Sequence, residues 1–107
     1  MEDAARERQA YEFGDVRVEA GAHRLLRQGV VVPVEPKAFA VLLELLAHPG
    51  QLVARDALLD AVWGRESEID ERTIDVHIGR VRKALLTAWR SDPIRTVRGV
   101  CYRYDPK

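Results

Sequence analysis

The chain has 107 residues, of which 47% are hydrophobic and 32% are charged, and its 17 Lys and Arg residues balance its 17 Asp and Glu residues. This composition is typical of one globular domain and excludes wholesale disorder. The single cysteine, Cys101, excludes an internal disulfide framework, and no apolar run approaches the ~18 residues of a membrane span. We therefore expect a cytoplasmic location.

The charge is divided unevenly along the chain. Residues 1–71 hold 8 Lys and Arg against 14 Asp and Glu, a balance of −6, whereas residues 72–107 hold 9 against 3, a balance of +6. An asymmetry of this kind indicates that the C-terminal part binds a polyanion such as nucleic acid.

The N-terminal third predicts a small antiparallel β-meander. Residues 1–10 are polar without an apolar face, so we expect a flexible leader before a single domain over residues 11–107. Alternating apolar residues and turn signals then predict three strands, over 13–18, 24–27 and 30–34.

Two helices are predicted next. Pro36 suits the first turn of a helix, which the turn at 48–50 ends, and a second helix runs from near Arg55 to Trp63 with Gly64 as a left-handed cap. The apolar residues at helical spacing are Phe39, Leu42, Leu43 and Leu46 in the first helix and Leu58, Leu59 and Val62 in the second.

The third predicted helix, Arg72–Leu86, is the most amphipathic, and Asp70 is placed to cap it. Its apolar residues fall on one stripe about 60° wide, and its polar face lies opposite. The stripe consists of Ile74, Ile78, Val81 and Leu85, and the opposite side holds Arg72, Thr73, Asp75, Val76, Gly79, Arg80 and Lys83.

A β-hairpin is predicted after the third helix, with strands over 94–97 and 100–104 around Gly99. Three helices followed by such a hairpin form a winged helix. The predicted fold class is therefore α+β, a winged helix-turn-helix with an N-terminal antiparallel β-meander, three helices and a C-terminal β-hairpin wing.

Several motifs occur in a fixed order between Phe13 and Tyr104. Beside the meander they are Pro36-Lys37-Ala38-Phe39, His48-Pro49-Gly50-Gln51-Leu52-Val53, Leu58-Leu59-Asp60-Ala61-Val62-Trp63-Gly64, Arg72-Thr73-Ile74-Asp75-Val76-His77-Ile78, Arg82-Lys83-Ala84-Leu85 and Thr96-Val97-Arg98-Gly99. Together they resemble the DNA-binding domain of the OmpR/PhoB family of bacterial transcription regulators, which includes CadC-like proteins. The resemblance implies double-stranded DNA as the partner, with helix 72–86 in the major groove and wing 94–104 in the minor groove.

The polar face of the third helix offers the groups that read base edges in a major groove. Arg80 can donate two hydrogen bonds to a guanine, and Asp75 can accept one from a cytosine amine or orient a neighbouring arginine. Val76 can pack against a thymine methyl group. The alternative is that this charged face is only solvated, as most such faces are.

Other residues are candidates for contacts with the DNA backbone. Near the rim of the helix these are Arg72, Thr73, His77 and Lys83, although His77 is equally compatible with a neutral residue on the helix surface. The resemblance implies that Arg82, which lies between the stripe and the polar face, can also reach DNA. In the wing, Arg98 can enter a narrow minor groove and Thr96 can bond a phosphate.

Nothing in the sequence indicates an enzyme. The carboxylates show no arrangement suited to acid–base catalysis, and no nucleophile has a base beside it. His23 and His48 have no second ligand at metal-like spacing. We expect no catalytic residue, no metal site, no cofactor and no small-molecule substrate.

The sequence departs from the family at four positions. Gly79 stands where relatives usually carry a longer side chain, and Cys101 stands where the wing commonly has a second glycine. Glu35 and Ala54 replace the Ser or Thr often seen before the first two helices, so these caps are weaker. We expect neither of these two changes to touch the recognition surface.

The resemblance also implies further partners. Loop 65–69, with Glu66 and Glu68, corresponds to a loop that often contacts RNA polymerase, and the alternative is a loop that is only solvated. Two copies of the domain would bind a direct repeat head to tail. The alternative function is a winged-helix module that binds polymerase or another protein. The resemblance leaves two arrangements open, a receiver domain before this domain or, in CadC-like proteins, a membrane span and sensor after it. The second is favoured if Met1 is the native start, and the full-length protein could then be membrane-anchored, whereas either is possible for an excised fragment.

Overall fold

The computed structural model describes residues 10–64, 68–86, 93–97 and 101–105. Within these ranges the secondary structure contains three helices and seven strands, and no helix has the length and apolar character needed to cross a membrane. The elements are, in chain order, β1 (Ala10–Phe13), β2 (Val16–Glu19), β3 (Arg24–Arg27), β4 (Val30–Val32), α1 (Pro36–Leu46), β5 (Val53–Ala54), α2 (Arg55–Trp63), α3 (Arg72–Leu86), β6 (Ile94–Val97) and β7 (Cys101–Tyr104). The predicted winged helix-turn-helix fold is confirmed.

The N-terminal sheet has four antiparallel strands in the order β1-β2-β3-β4. The prediction of a single strand over 13–18 is wrong, because Gly14, with a φ of 59°, and Asp15 form a turn that pairs Phe13 with Val16. Only residues 1–9 of the predicted leader lie outside the described residues, since Ala10 begins β1.

The three helices have the predicted positions. The predicted apolar stripe of α3 is confirmed, since its four residues are at most 1% exposed. Asp70 caps α3 as expected, its Oδ1 accepting from the backbone N–H of Arg72 at 2.9 Å. Gly64 has a positive φ of 93°, but its ψ of 156° is extended, so the prediction of a left-handed cap is wrong.

A second sheet has the order β5-β7-β6. The hairpin β6–β7 was predicted, whereas the two-residue strand β5, which pairs Val53 with Tyr102 and Ala54 with Cys101, was not. Because β5 leads directly into α2, this pairing joins the wing to the helix-turn-helix. Residues 98–100, the predicted tip of the wing, lie outside the described residues.

The core lies between the N-terminal sheet, the helices and β7. Tyr102 and Tyr104 are each 5% exposed, and Trp63 packs half-buried against the core. The packing leaves one face of α3 in solvent.

Candidate nucleic-acid interface

The exposed face of α3 is the one that the sequence predicts. Arg72, Val76, Gly79, Arg80 and Lys83 are all exposed, and Val76 is 52% exposed despite its apolar side chain. A Cβ added at Gly79 would meet nothing within 4 Å, so this glycine leaves the middle of the face open. The face therefore combines cationic side chains with one accessible methyl-bearing side chain.

Asp75 lies on one flank of this face and contacts two other elements. Its Oδ2 accepts from Nη1 of Arg55 in α2 at 2.7 Å, and its Oδ1 accepts from the hydroxyl of Tyr102 in β7. Burial, the larger cause, and the hydrogen bond to Asp75 together raise the pKa of Tyr102 to about 12. The phenol therefore keeps the hydrogen that it donates in this bond. The two roles predicted for Asp75 are to accept from a cytosine amine and to orient a neighbouring arginine. For the second role, an arginine, Arg55, lies within hydrogen-bond distance of Asp75.

Arg82 lies on the same flank and connects α3 to the wing. Its Nη2 donates to the carbonyl oxygen of Ile94 and to Oγ1 of Thr96, both at 2.9 Å. The guanidinium carbon is 5.8 Å from the centre of the Tyr102 ring, within the range of a cation–π contact. Arg82 thus sets the position of β6 relative to α3, and Thr96 remains exposed beside it.

His77 lies on the other flank and is buried, with 6% of its surface exposed. Its Nδ1 is 2.8 Å from the carbonyl oxygen of Thr73, its Nε2 is 3.0 Å from Oε1 of Glu35, and its ring meets the Trp63 ring edge to face. The expected position of His77 at the rim of the exposed face is wrong. Thr73 is half-buried at this flank.

Glu35 reaches α3, contrary to the expectation that it leaves the recognition surface untouched. It precedes α1, and its side chain makes no capping hydrogen bond there. Instead its Oε2 accepts from Nη1 of Arg80 at 2.5 Å while its Oε1 faces His77. Ala54, the other weak cap, also lacks a side-chain capping bond and lies in β5.

The remaining predicted residues are placed only in part. Arg98 and Gly99 lie outside the described residues, as do residues 65–67 of the predicted polymerase loop, while Glu68 is exposed. In the described part of the chain, no group of three or more His, Cys, Asp and Glu side chains is arranged to hold a metal ion.

The elements of this site, an exposed cationic helix joined by side-chain contacts to a β-hairpin, define a winged-helix domain. The family model for the C-terminal domain of transcriptional regulatory proteins matches residues 29–104. The chain therefore belongs to this family, the OmpR/PhoB-type DNA-binding domains of bacterial transcription regulators, which is a family of transcription-factor domains and not of enzymes.

Two curated relatives illustrate the similarity. The phosphate regulon transcriptional regulatory protein PhoB of Rhizobium meliloti is 45% identical over 92 residues, covering 86% of this chain and 40% of its own length. The DNA-binding response regulator MtrA of Mycolicibacterium smegmatis is 37% identical over 99 residues, covering 88% of this chain and 42% of its own length. The chain thus spans less than half the length of these relatives.

Solved structures have the same fold. The response regulator DrrB of Thermotoga maritima, an OmpR/PhoB homologue, superposes with a TM-score of 0.79 at 32% identity, covering 90% of this chain and 44% of that one. The DNA-binding domain of RstA from Klebsiella pneumoniae, solved in complex with the RstA box, has a TM-score of 0.76 at 33% identity and covers 92% of this chain and 99% of that one.

Proposed function

We propose that this domain binds double-stranded DNA sequence-specifically and thereby regulates bacterial transcription. The observation that carries the proposal is the similarity, over almost the whole of both chains, to the RstA domain that was solved bound to its DNA box. The exposed face of α3 supports it, because its side chains suit base edges and phosphates.

In this proposal α3 enters the major groove. Arg80 donates to a guanine and Val76 packs on a thymine methyl group, since both are exposed on the same face. Arg72 and Lys83, exposed near the two ends of the helix, contact phosphates. Asp75 acts mainly through its bonds to Arg55 and Tyr102, which hold α3 against α2 and β7.

The wing enters the adjacent minor groove through Arg98, and Thr96 bonds a phosphate. Supporting this, the two bonds from Arg82 to β6 set the wing at a defined position beside α3. A helix and a hairpin held rigidly together can contact neighbouring grooves without a large ordering cost.

A duplex-binding titration tests the proposal. If roughly six phosphates are neutralised, the affinity falls with salt concentration at a log–log slope near −5. Arg80→Ala should reduce discrimination between duplexes by about 1–3 kcal/mol, whereas Lys83→Ala should weaken binding to all duplexes alike. Binding that shows no preference among duplexes selected from a random pool would contradict sequence-specific recognition.

The same titration tests the alternative, a protein-interaction module, for which duplex binding would be absent.

A contact of loop 65–69 with RNA polymerase is a further proposal, supported by the exposed carboxylate of Glu68. Unchanged transcription after alanine substitution of Glu66 and Glu68 would contradict the polymerase contact.

A duplex carrying two direct repeats tests head-to-tail pairing of two copies of the domain, since the second copy should then bind more tightly than the first.

A further inference from the structure

The contact between Glu35 and Arg80 joins the segment before α1 to the exposed face of α3. The two residues are 45 positions apart, and their side chains are 45% and 50% exposed. An ion pair this exposed adds little to stability. The contact therefore matters mainly for where it places the guanidinium of Arg80.

The carboxylate of Glu35 is itself fixed in place. The carbonyl oxygen of Thr73 and the carboxylate Oε1 of Glu35 both only accept, and they lie 2.8 Å from Nδ1 and 3.0 Å from Nε2 of His77. His77 therefore bonds to both when each of its ring nitrogens carries a hydrogen. The histidine is buried and its ring packs on Trp63. With Nε2 as the donor, the buried histidine bonds to the half-exposed carboxylate of Glu35 and restricts the rotamers that this glutamate adopts.

The geometry also leaves Arg80 able to bind a base. Glu35 accepts from one terminal nitrogen, Nη1, and a guanidinium has five N–H groups in a planar fork. Of the four N–H groups that remain, those on Nη2 and Nε lie on one edge of the guanidinium and can still donate as a pair to two acceptors. A side chain held in this way loses less conformational entropy when it meets a base edge.

From these contacts we propose that Glu35 is a positioning residue for sequence recognition, orienting Arg80 through a carboxylate that His77 holds in place. The inference rests on the proposed function, in which Arg80 reads a base pair. It predicts that Glu35 increases discrimination between duplexes while its negative charge slightly weakens binding to every duplex.

The test compares Glu35→Gln, Arg80→Ala and the double variant in titrations with two probes. One probe is a duplex selected from a random pool by the wild-type domain, and the other is the same duplex with its base pairs scrambled. Glu12→Gln is the matched control, because Glu12 also forms an exposed ion pair with an arginine, Arg17, but lies in the N-terminal sheet.

Glu35→Gln should lower the ratio of the two affinities by about threefold to fivefold, the size of an exposed ion pair, and should leave or strengthen binding to the scrambled duplex. Arg80→Ala should lower the ratio by about fivefold or more, and the double variant should equal Arg80→Ala alone. The control should leave the ratio unchanged.

Two results would overturn the inference while leaving the proposed function intact. One is a Glu35→Gln ratio equal to that of the wild type, and the other is a loss that persists undiminished when Arg80 is already alanine. If the wild-type domain binds no duplex or prefers none, the proposed function fails and the role of Glu35 fails with it.

Discussion

The arginines of the N-terminal sheet and those around α3 pair with acids in different ways. In the sheet, Arg17 bonds to Glu12 and Glu19, and Arg24 bonds to Glu19. These partners lie two to five residues apart along the chain. Hydrogen bonds from Arg24 and then Arg17 hold the pKa of Glu19 below its usual value, so these two cations are neutralised within the sheet.

Around α3 the partners come from distant parts of the chain. Arg55 and Asp75 are 20 residues apart, and Arg80 and Glu35 are 45 apart. At ~100° per residue, Asp75 lies on one flank of α3 and Arg80 towards the other. The local pairs act within one strand or between adjacent strands, whereas these long-range pairs fix the rotation of α3 against α1, α2 and the wing.

Asp75→Ala should have the largest effect on stability in this comparison. The substitution leaves the guanidinium of Arg55 and the hydroxyl of Tyr102 without their acceptor. Because the side chain of Asp75 is 41% exposed, screening reduces the charge contribution, and we expect a loss of roughly 1–2 kcal/mol in the free energy of unfolding.

Urea denaturation measures this loss. Asp60→Ala is the control, since Asp60 is an exposed acid on α2. Equal midpoints for the two variants would show that the Asp75 contacts add no stability beyond that of a surface carboxylate.

Tyr102→Phe should have a smaller effect, about 1 kcal/mol, because it removes one hydrogen bond and keeps the ring. The effect should depend on pH. The folded pKa of about 12 exceeds the ordinary value of 10.0, so the stabilisation is fully present below pH 10.0 and is lost as the pH rises through about 12.

Ultraviolet absorbance of tyrosinate measures this titration. The wild-type protein should show a phenol that ionises near pH 12, and the variant should lack that step. A step of the same size in both proteins would contradict the assignment to Tyr102.

The sequence predicted most of the fold because its elements have local signals. The bounds of α3 follow from the periodic residues between Asp70 and Leu85. Gly14-Asp15 is a turn signal between the two strands around it, and the prediction of one strand over 13–18 disregards this signal. No local signal predicts the two-residue strand Val53–Ala54, because this strand depends on pairing with Cys101 and Tyr102.

The candidate site was predicted less completely because its contacts are long-range. Helical spacing identified the exposed face of α3, but it could not reveal that Glu35 reaches Arg80 from another element. The burial of His77 had a signal, since His77 follows Ile74 by three residues and precedes Val81 by four, which places it beside the apolar stripe. Whether such a flanking residue is buried depends on the neighbour that covers it, here the Trp63 ring.

Arg17→Ala, in the N-terminal sheet, should have the smallest effect of these substitutions on the free energy of unfolding. Its ion pairs with Glu12 and Glu19 lie on the exposed side of the sheet, and its own side chain is 45% exposed. Exposed pairs within a strand or between adjacent strands contribute little, so we expect a change of less than ~0.5 kcal/mol in the free energy of unfolding and no change in duplex discrimination. Urea denaturation and the two-probe titration measure these quantities. A loss as large as that of Asp75→Ala would mean that local pairs organise this fold as strongly as long-range ones, which would remove the distinction between the two regions.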